Sequence, residues 1–326
     1  MEEVVVFKLE RSKRKKHRFR WRRAFFILFV FIFLIGGTYS IIQYKQGLSA
    51  ASDGKYKNDG TTFEQFNGNL PDNGQINVLL LGSDSRGEKN ARTDSILIAH
   101  YDQNTKQPKL VSIMRDMYVE IPGHGKQKIN AAYAFGGPEL LRETIKQNFN
   151  VDINYYAVVD FNGFSKIVDT IAPDGIKVNI SHEMSSGIGM TLHPGEQTLH
   201  GKELLGYVRF RHDQLSDFGR VERQQEVLSK LKDQATNIKS VLKLPKLLGL
   251  FDSYIDTNVD TKTNLILGKD FITGQAKNVQ TLRIPLDNTF ENQRYDDVGE
   301  VLNIDLDKNK EELQKFLKDD NESRKK

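Results

Sequence analysis

Cysteine is absent from the 326 residues, which excludes disulfides, thiol nucleophiles and thiolate metal sites together. The chain also lacks a Walker A loop and a dinucleotide fingerprint, so a nucleotide-driven reaction has no visible site. Positive charge is scarce outside the N-terminus. Residues 1–23 hold ten Lys or Arg against three acidic residues, a local +7, and with +4 for the whole chain the remainder carries −3. That balance excludes the basic footprint expected of a general nucleic-acid binder. His182, His193, His200 and His212 lack the short spacing of a zinc motif and read as surface or capping residues. Repeats and low-complexity tracts are missing too. What is present, 38% hydrophobic and 28% charged residues, is ordinary globular composition, long enough for two average domains or one large one.

The N-terminus has a separate logic. An almost wholly basic run from Arg11 to Arg23 enters AFFILFVFIFLIGGTYSII, Ala24 to Ile42, long enough to span roughly 28 Å as a helix. The pattern predicts a transmembrane anchor over 24–42. The basic tail, 1–23, stays in the cytoplasm and everything after Ile42 lies outside, with Trp21, Tyr39 and Tyr44 near the interfaces. A cleaved signal peptide is the competing reading, because Ser49, Ala50 and Ala51 are small. The apolar run is longer than the usual signal core of roughly 7–15 residues, and Gln43, Lys45 and Gln46 separate it from any cleavage site. Residues 43–75, rich in Gly, Asn, Asp, Ser and Lys, read as an extracellular linker.

The folded domain is expected over 76–318, with 319–326 as a disordered tail. INVLLLG, from Ile76, reads as a strand buried on both faces, and Ser95 to Tyr101 as a second. Asp84 and Asp94 flank the polar loop between them. Two carboxylates at neighbouring strand ends suit Mg²⁺, while an Asp in a loop is also a common turn former or cap. KLVSI is a third strand, and it ends at Arg115 and Asp116, either a surface ion pair or part of one shared site outside the strand ends. A helix opening at Pro138, a strand over Tyr155–Val159, a helix over Phe161–Ile171, an irregular stretch after Ile176 and a late strand, VQTLRIP, complete an α/β pattern.

The densest charge lies in YVRFRHDQLSDFGRVERQQ, Tyr207 to Gln225. On an extended segment Arg209 and Arg211 would leave one face roughly 6.6 Å apart, a pyrophosphate's span, whereas on a helix they diverge. Asp217 can cap a helix that carries Arg220 and Gln224 on one face at i, i+4. A solvated basic face is the alternative to a polyanion site.

Four blocks in this order, GSDSR with RTDSI, MRD, KINAAYAFGG and YVRFRHDQLSDFGRVERQQ, resemble the LytR-CpsA-Psr family of cell-wall glycopolymer ligases, and the chain looks closest to the MsrR branch. The resemblance implies an extracytoplasmic α/β domain with a central mixed sheet surrounded by helices, an apolar tunnel for a polyprenyl chain and an arginine-lined mouth for its pyrophosphate. It implies Mg²⁺ on Asp84 and Asp94, and phosphate contacts from Arg115, Arg209, Arg211, Arg220 and Gln224. Arg92 and Lys128 would be second contributors, and Asp217 would orient Arg220 or assist proton removal. Of these, Asp84, Asp94, Arg115 and Arg211 are the expected catalytic set. Met114 and the turn Ala172-Pro173-Asp174-Gly175 depart from the family pattern, away from the charged residues.

The implied reaction moves a glycopolymer phosphate, of wall teichoic acid or capsule type, from a polyprenyl pyrophosphate carrier to peptidoglycan in a Gram-positive envelope. The membrane is a partner; nucleic acid and nucleotides are not. A membrane-bound regulator or attenuator, or a lipid-binding scaffold without turnover, are the rival readings. Protease shaving of intact cells should degrade the domain and spare an N-terminal tag; a mature protein beginning near Ala51 would contradict the anchor.

Overall fold

A computed structural model of the chain describes residues 36–49, 66–71, 74–83, 93–235, 243–260, 263–264, 267–268, 270 and 275–318. The expected cytoplasmic tail, most of the apolar run, and the positions of Asp84 and Arg92 lie outside the described residues. Among the described residues no helix is long and apolar enough to cross a membrane.

Helix α1 covers 36–49. A six-stranded mixed sheet forms the centre, in the order β10-β3-β2-β1-β6-β9. Its first three strands, β1 (Gln75–Ser83), β2 (Thr93–Asp102) and β3 (Gln107–Ile113), form an antiparallel meander. β6 (Tyr155–Asp160) adds in parallel to β1, β9 (Ile255–Thr257) antiparallel to β6, and β10 (Gln280–Ile284) in parallel to β3. The sheet is mixed, as expected.

Strand alternation assigns the two faces. Leu79 opposes Ile98 and Leu81 opposes Ile96, and these four, with Val111, Ile113 and Val158, are buried in the largest core cluster. Two helices cover that side. One is α2 (Ala131–Phe149), which contributes Leu141, Ile145 and Phe149. The other is the C-terminal α7 (Leu306–Lys318), which contributes Leu313 and Leu317. Fully burying such side chains is worth about 1.5–3 kcal/mol each, which holds α2 on the sheet although its backbone is non-helical at Gly136 and Gly137. The continuous helix therefore starts at Pro138, as its sequence signature predicts.

The other sheet face carries Val78, Leu80 and Ala99, and here Leu80 and Ala99 are only half-buried although they sit on the two middle strands. A second core beside it packs α3 (Phe161–Ile171), α4 (Gly201–Arg209) and α5 (Asp217–Ala235) against the hairpin of β7 (Ile176–Ile180) and β8 (Gly195–Leu199). The sequence reading left that hairpin as irregular chain. Its residues Ile176, Val178 and Ile180 alternate inward with period two, but β8 is polar and too short to signal itself. Two further pairs, β4 (Tyr118–Ile121) with β5 (Gly125–Lys128) and β11 (Phe290–Tyr295) with β12 (Gly299–Ile304), flank the main sheet.

Residues 43–49, placed by sequence in the linker, continue α1 and pack on α6 (Leu244–Tyr254). Gly47 and Gly249 make this approach possible: a Cβ on Gly249 would collide with the Tyr44 carbonyl oxygen, and one on Gly47 with that of Lys246. The Tyr44 hydroxyl donates to Asp252 Oδ2 at 2.6 Å across the same contact. Gly249→Val should therefore separate the two helices. Hydrogen exchange at residues 43–49 should speed up in the variant, and unchanged protection would contradict the packing.

Candidate functional site

The strand register gathers one edge of the sheet. Ser83 at the end of β1 pairs with Thr93 at the start of β2 and with Asp160 at the end of β6, while the ends of β3 and β10 align as Ile113 and Ile284. Charged side chains follow directly from these ends: Asp94 on β2 and Arg115 two residues past β3. The chain after Arg115 is pinned by backbone hydrogen bonds from Ile129 to Met117 and from Asn130 to Arg115. The β4–β5 hairpin, with Tyr118 opposite Lys128, therefore brings Lys128 to the same place.

The first turn of α5 meets this edge. Asp217 Oδ2 accepts from Arg115 Nε at 3.0 Å and from Arg220 Nη2 at 3.3 Å, and Oδ1 lies 3.4 Å from Arg211 Nε. One carboxylate thus holds three guanidinium groups. Asp94 Oδ1 accepts from Arg115 Nη1 at 2.7 Å and lies 3.0 Å from Arg211 Nη2. Asp116 lies between Arg115 Nε at 3.2 Å and Lys128 Nζ at 2.9 Å. Gln224, one turn beyond Arg220, donates to Ser95 Oγ at 2.9 Å and to the Val208 carbonyl at 3.3 Å.

The structure therefore unites Asp94, Arg115, Arg211, Asp217 and Arg220, joins Lys128 through Asp116, and seats Gln224 beside them on β2. Arg209 is placed differently. Helix α4 runs through to Arg209 and only Phe210 turns extended, so the two arginines diverge; the Arg209 guanidinium lies 4.0 Å over the Phe161 ring, beyond the end of β6. Asp84 and Arg92 belong to the β1–β2 loop, outside the described residues.

Four cations here face three carboxylates. Burial opposes the ionisation of Asp94, yet Arg211 and Arg115 outweigh it and hold its carboxyl below the usual range. Burial likewise opposes the charge on Arg115, and Asp217, Asp116 and Asp94 overcome it, raising its pKa. Arg220 is the exception. It is 3% exposed, and desolvation, reinforced by the neighbouring Arg211 and Arg115, pushes it down to about 10 against the pull of Asp217. Its Nε and Nη1, together with Arg211 Nε, are buried without a hydrogen-bond partner. Buried unpaired donors are costly, and two of them on one guanidinium beside two further arginines are what an oxyanion with several acceptor oxygens would satisfy.

Sequence reasoning missed two residues of this neighbourhood. Asp116, read with Arg115 as either a surface ion pair or part of a shared site and given no role of its own, is the link between Arg115 and Lys128; only the β4–β5 hairpin reveals it. Arg283, on β10, lies 4.4 Å over the Phe218 ring, ion-pairs with Asp287 and approaches Met114 Sδ at 3.9 Å. A late strand joining β3 from 170 residues away in sequence leaves no local signal. Arg223, in contrast, is structural: it donates to Asp213 and to the carbonyls of Tyr207 and Phe210, fixing the α4–α5 connector that carries Arg211.

The fold and this strand-edge site define an α/β protein with arginines and carboxylates gathered at one end of a mixed sheet. The LytR_cpsA_psr family model matches residues 39–315, and the chain belongs to that family. It is 43% identical over 282 residues to the regulatory protein MsrR of Staphylococcus aureus, covering 86% of this chain and 85% of that protein. It is 31% identical over 289 residues to the polyisoprenyl-teichoic acid–peptidoglycan teichoic acid transferase TagU of Oceanobacillus iheyensis, covering 85% and 89%. Among solved structures it resembles the family protein YwtF (TagT), of Bacillus subtilis, with bound octaprenyl pyrophosphate lipid: TM-score 0.55, 28% identity, 76% of this chain and 93% of that one.

Arg220→Met tests whether the cluster is built for an anion. Removing one partner of a buried ion pair is costly when the other charge is left unpaired, but Asp217 keeps Arg115 and Arg211 in this variant, so the melting temperature should hold. Calorimetric titration of the full chain with inorganic pyrophosphate should show affinity reduced by about tenfold or more, for a lost charged hydrogen bond of about 1.5–3 kcal/mol. A lower melting temperature with unchanged pyrophosphate binding would mark Arg220 as a structural strut.

Proposed function

We propose that this protein transfers a glycopolymer phosphate from a polyprenyl pyrophosphate carrier to a peptidoglycan hydroxyl. The observation that carries the reading is that the buried Arg220 keeps two guanidinium nitrogens, Nε and Nη1, without a hydrogen-bond partner at an edge where Asp217 holds Arg115, Arg211 and Arg220 together. A pyrophosphate supplies the missing acceptors. The half-buried Leu80 and Ala99 over the middle of the sheet give its lipid an apolar path. The names of the relatives support both ends of the reaction: TagU is a teichoic acid–peptidoglycan transferase, and the TagT structure holds a prenyl pyrophosphate. The name MsrR, a regulatory protein, is accommodated as an indirect consequence of altered wall assembly.

Phosphoryl transfer passes through a loose transition state, so the protein's task is positioning and charge neutralisation. Arg115 and Arg211, braced by Asp94 and Asp217, hold the phosphates; Arg220 donates from beneath; Gln224 fixes Ser95 and the start of β2. The link that breaks is already a pyrophosphate, so no nucleotide is required. Mg²⁺ fits this edge: both arginine contacts of Asp94 fall on Oδ1, and the carboxylate is held ionised. Asp84 and Asp94 would hold the ion, which would supply further neutralisation of the phosphate oxygens. The anchor at 24–42 would place this domain outside the cytoplasmic membrane, next to both substrates.

The test gives the full-length protein a synthetic lipid-linked glycopolymer precursor and peptidoglycan oligomers, then measures covalent product and released polyprenyl phosphate. Arg211→Lys keeps the charge but loses the planar fork. It should slow transfer, and Arg211→Ala should cost about 10²–10³ in rate, as for other lost transition-state donors. Asp94→Asn should also remove the Mg²⁺ dependence. Transfer by Arg211→Ala at the parental rate would refute the assignment; lipid binding by the parent without product would leave a scaffold.

A further inference from the structure

Across α5 from the arginines lies a second concavity that the phosphate chemistry does not use. Asp217, Arg220 and Gln224 occupy one side of the helix, whereas Gly219, Glu222, Arg223 and Glu226 face a groove of about 1000 Å³. The connector preceding the helix divides its residues in the same way: Arg211 turns to Asp94, while His212, Asp213 and Leu215 line the groove. His182, at the end of β7, closes the far wall, tilted against the Phe210 ring at 5.7 Å.

The groove's polar chemistry is that of hydroxyl recognition. Asp213 gives Oδ2 to Arg223 at 2.7 Å, but its Oδ1 is buried without a hydrogen-bond partner, and so is Nε2 of His182. A hydroxyl can both donate and accept, so it can satisfy a carboxylate oxygen and an imidazole nitrogen where a phosphate cannot. The charge balance points the same way. Glu222, Glu226 and Asp213 line the groove, and its one arginine, Arg223, is already consumed by Asp213 and by two carbonyls. Exposed Leu215 and the His212 ring add apolar surface of the kind that packs on sugar C–H groups.

We propose that this groove binds an uncharged amino-sugar segment of the acceptor glycan. The assignment rests on the transferase reading given above. Donor and acceptor would then approach the arginine edge from opposite sides of α5: the donor lipid over the half-buried sheet face, the acceptor around the 212–216 turn. The donor's own first sugars share the same hydroxyl chemistry, and the experiment separates the two sources.

His212→Ala and Glu222→Gln alter exposed groove positions, and His182→Ala removes the unpartnered ring nitrogen of the far wall; none of the three touches the arginines or the Asp213–Arg223 brace. In the full-length protein these changes should weaken binding of chitotetraose, an uncharged N-acetylglucosamine oligomer, by about tenfold, the value of one lost charge-assisted hydrogen bond. In the transfer assay they should raise KM for peptidoglycan oligomers by a similar factor, with kcat and the KM for the lipid donor unchanged. A rise in donor KM instead would give the groove to the donor's sugars, and an unchanged acceptor KM with unchanged chitotetraose binding would remove the site; either overturns the proposal. Should the parent give no transfer at all, the transferase reading fails while chitotetraose still decides the groove: binding that His212→Ala abolishes supports it, and no binding by the parent refutes it.

Discussion

The site depends on one carboxylate. Asp217 holds Arg115, Arg211 and Arg220 within 3.0–3.4 Å of its two oxygens, and without it three guanidinium groups would repel one another at a half-buried sheet edge. The pKa of Arg220 is already pushed down by desolvation, with Arg211 and Arg115 adding to the effect. Asp94 and Asp116 share the load on the other side of Arg115. The result is an arginine array assembled in advance, with donors left over, into which a diphosphate can bind without first gathering cations.

The fold explains why these residues meet. Strand ends of β1, β3, β6 and β10 and the start of β2 share one edge, and α5 crosses it with its first turn. The charged residues come from the start of β2, the turn after β3, β5, the α4–α5 connector and the first turn of α5, so sheet register and helix packing together set their positions. Behind the edge, one sheet face is fully packed by α2 and α7, and the opposite face is left partly open at Leu80 and Ala99. A substrate with a charged head and an apolar tail finds both surfaces adjoining. The close passage of Gly47 past Gly249 packs residues 43–49 against α6.

Much of this was legible in the sequence where local pattern and chemistry coincide. The apolar runs of β1, β2 and β3 end in charge, and the i, i+4 pair Arg220 and Gln224 does share a helix face. The resemblance carried by four motif blocks supplied the family, which composition alone could not. The remainder depended on long-range pairing. The role of Asp116 needs a hairpin to bring Lys128 back; Arg209 left its expected neighbour because α4 runs through to Arg209 and only Phe210 turns extended; and β8 is too polar to be read as a strand. Helix packing through Gly47 was hidden because a glycine in a polar stretch looks the same whether it marks a linker or a close approach.

The central claim is that the arginine edge is a prenyl diphosphate site. Mild-detergent extraction of the full-length protein from its native membrane, followed by mass spectrometry of the retained lipid, tests it directly. The parent should carry a polyprenyl pyrophosphate species, bare or glycosylated, and a double Arg115→Ala, Arg211→Ala variant of equal melting temperature should carry little. Absence of any prenyl diphosphate from the parent, or equal retention by the variant, would contradict the account.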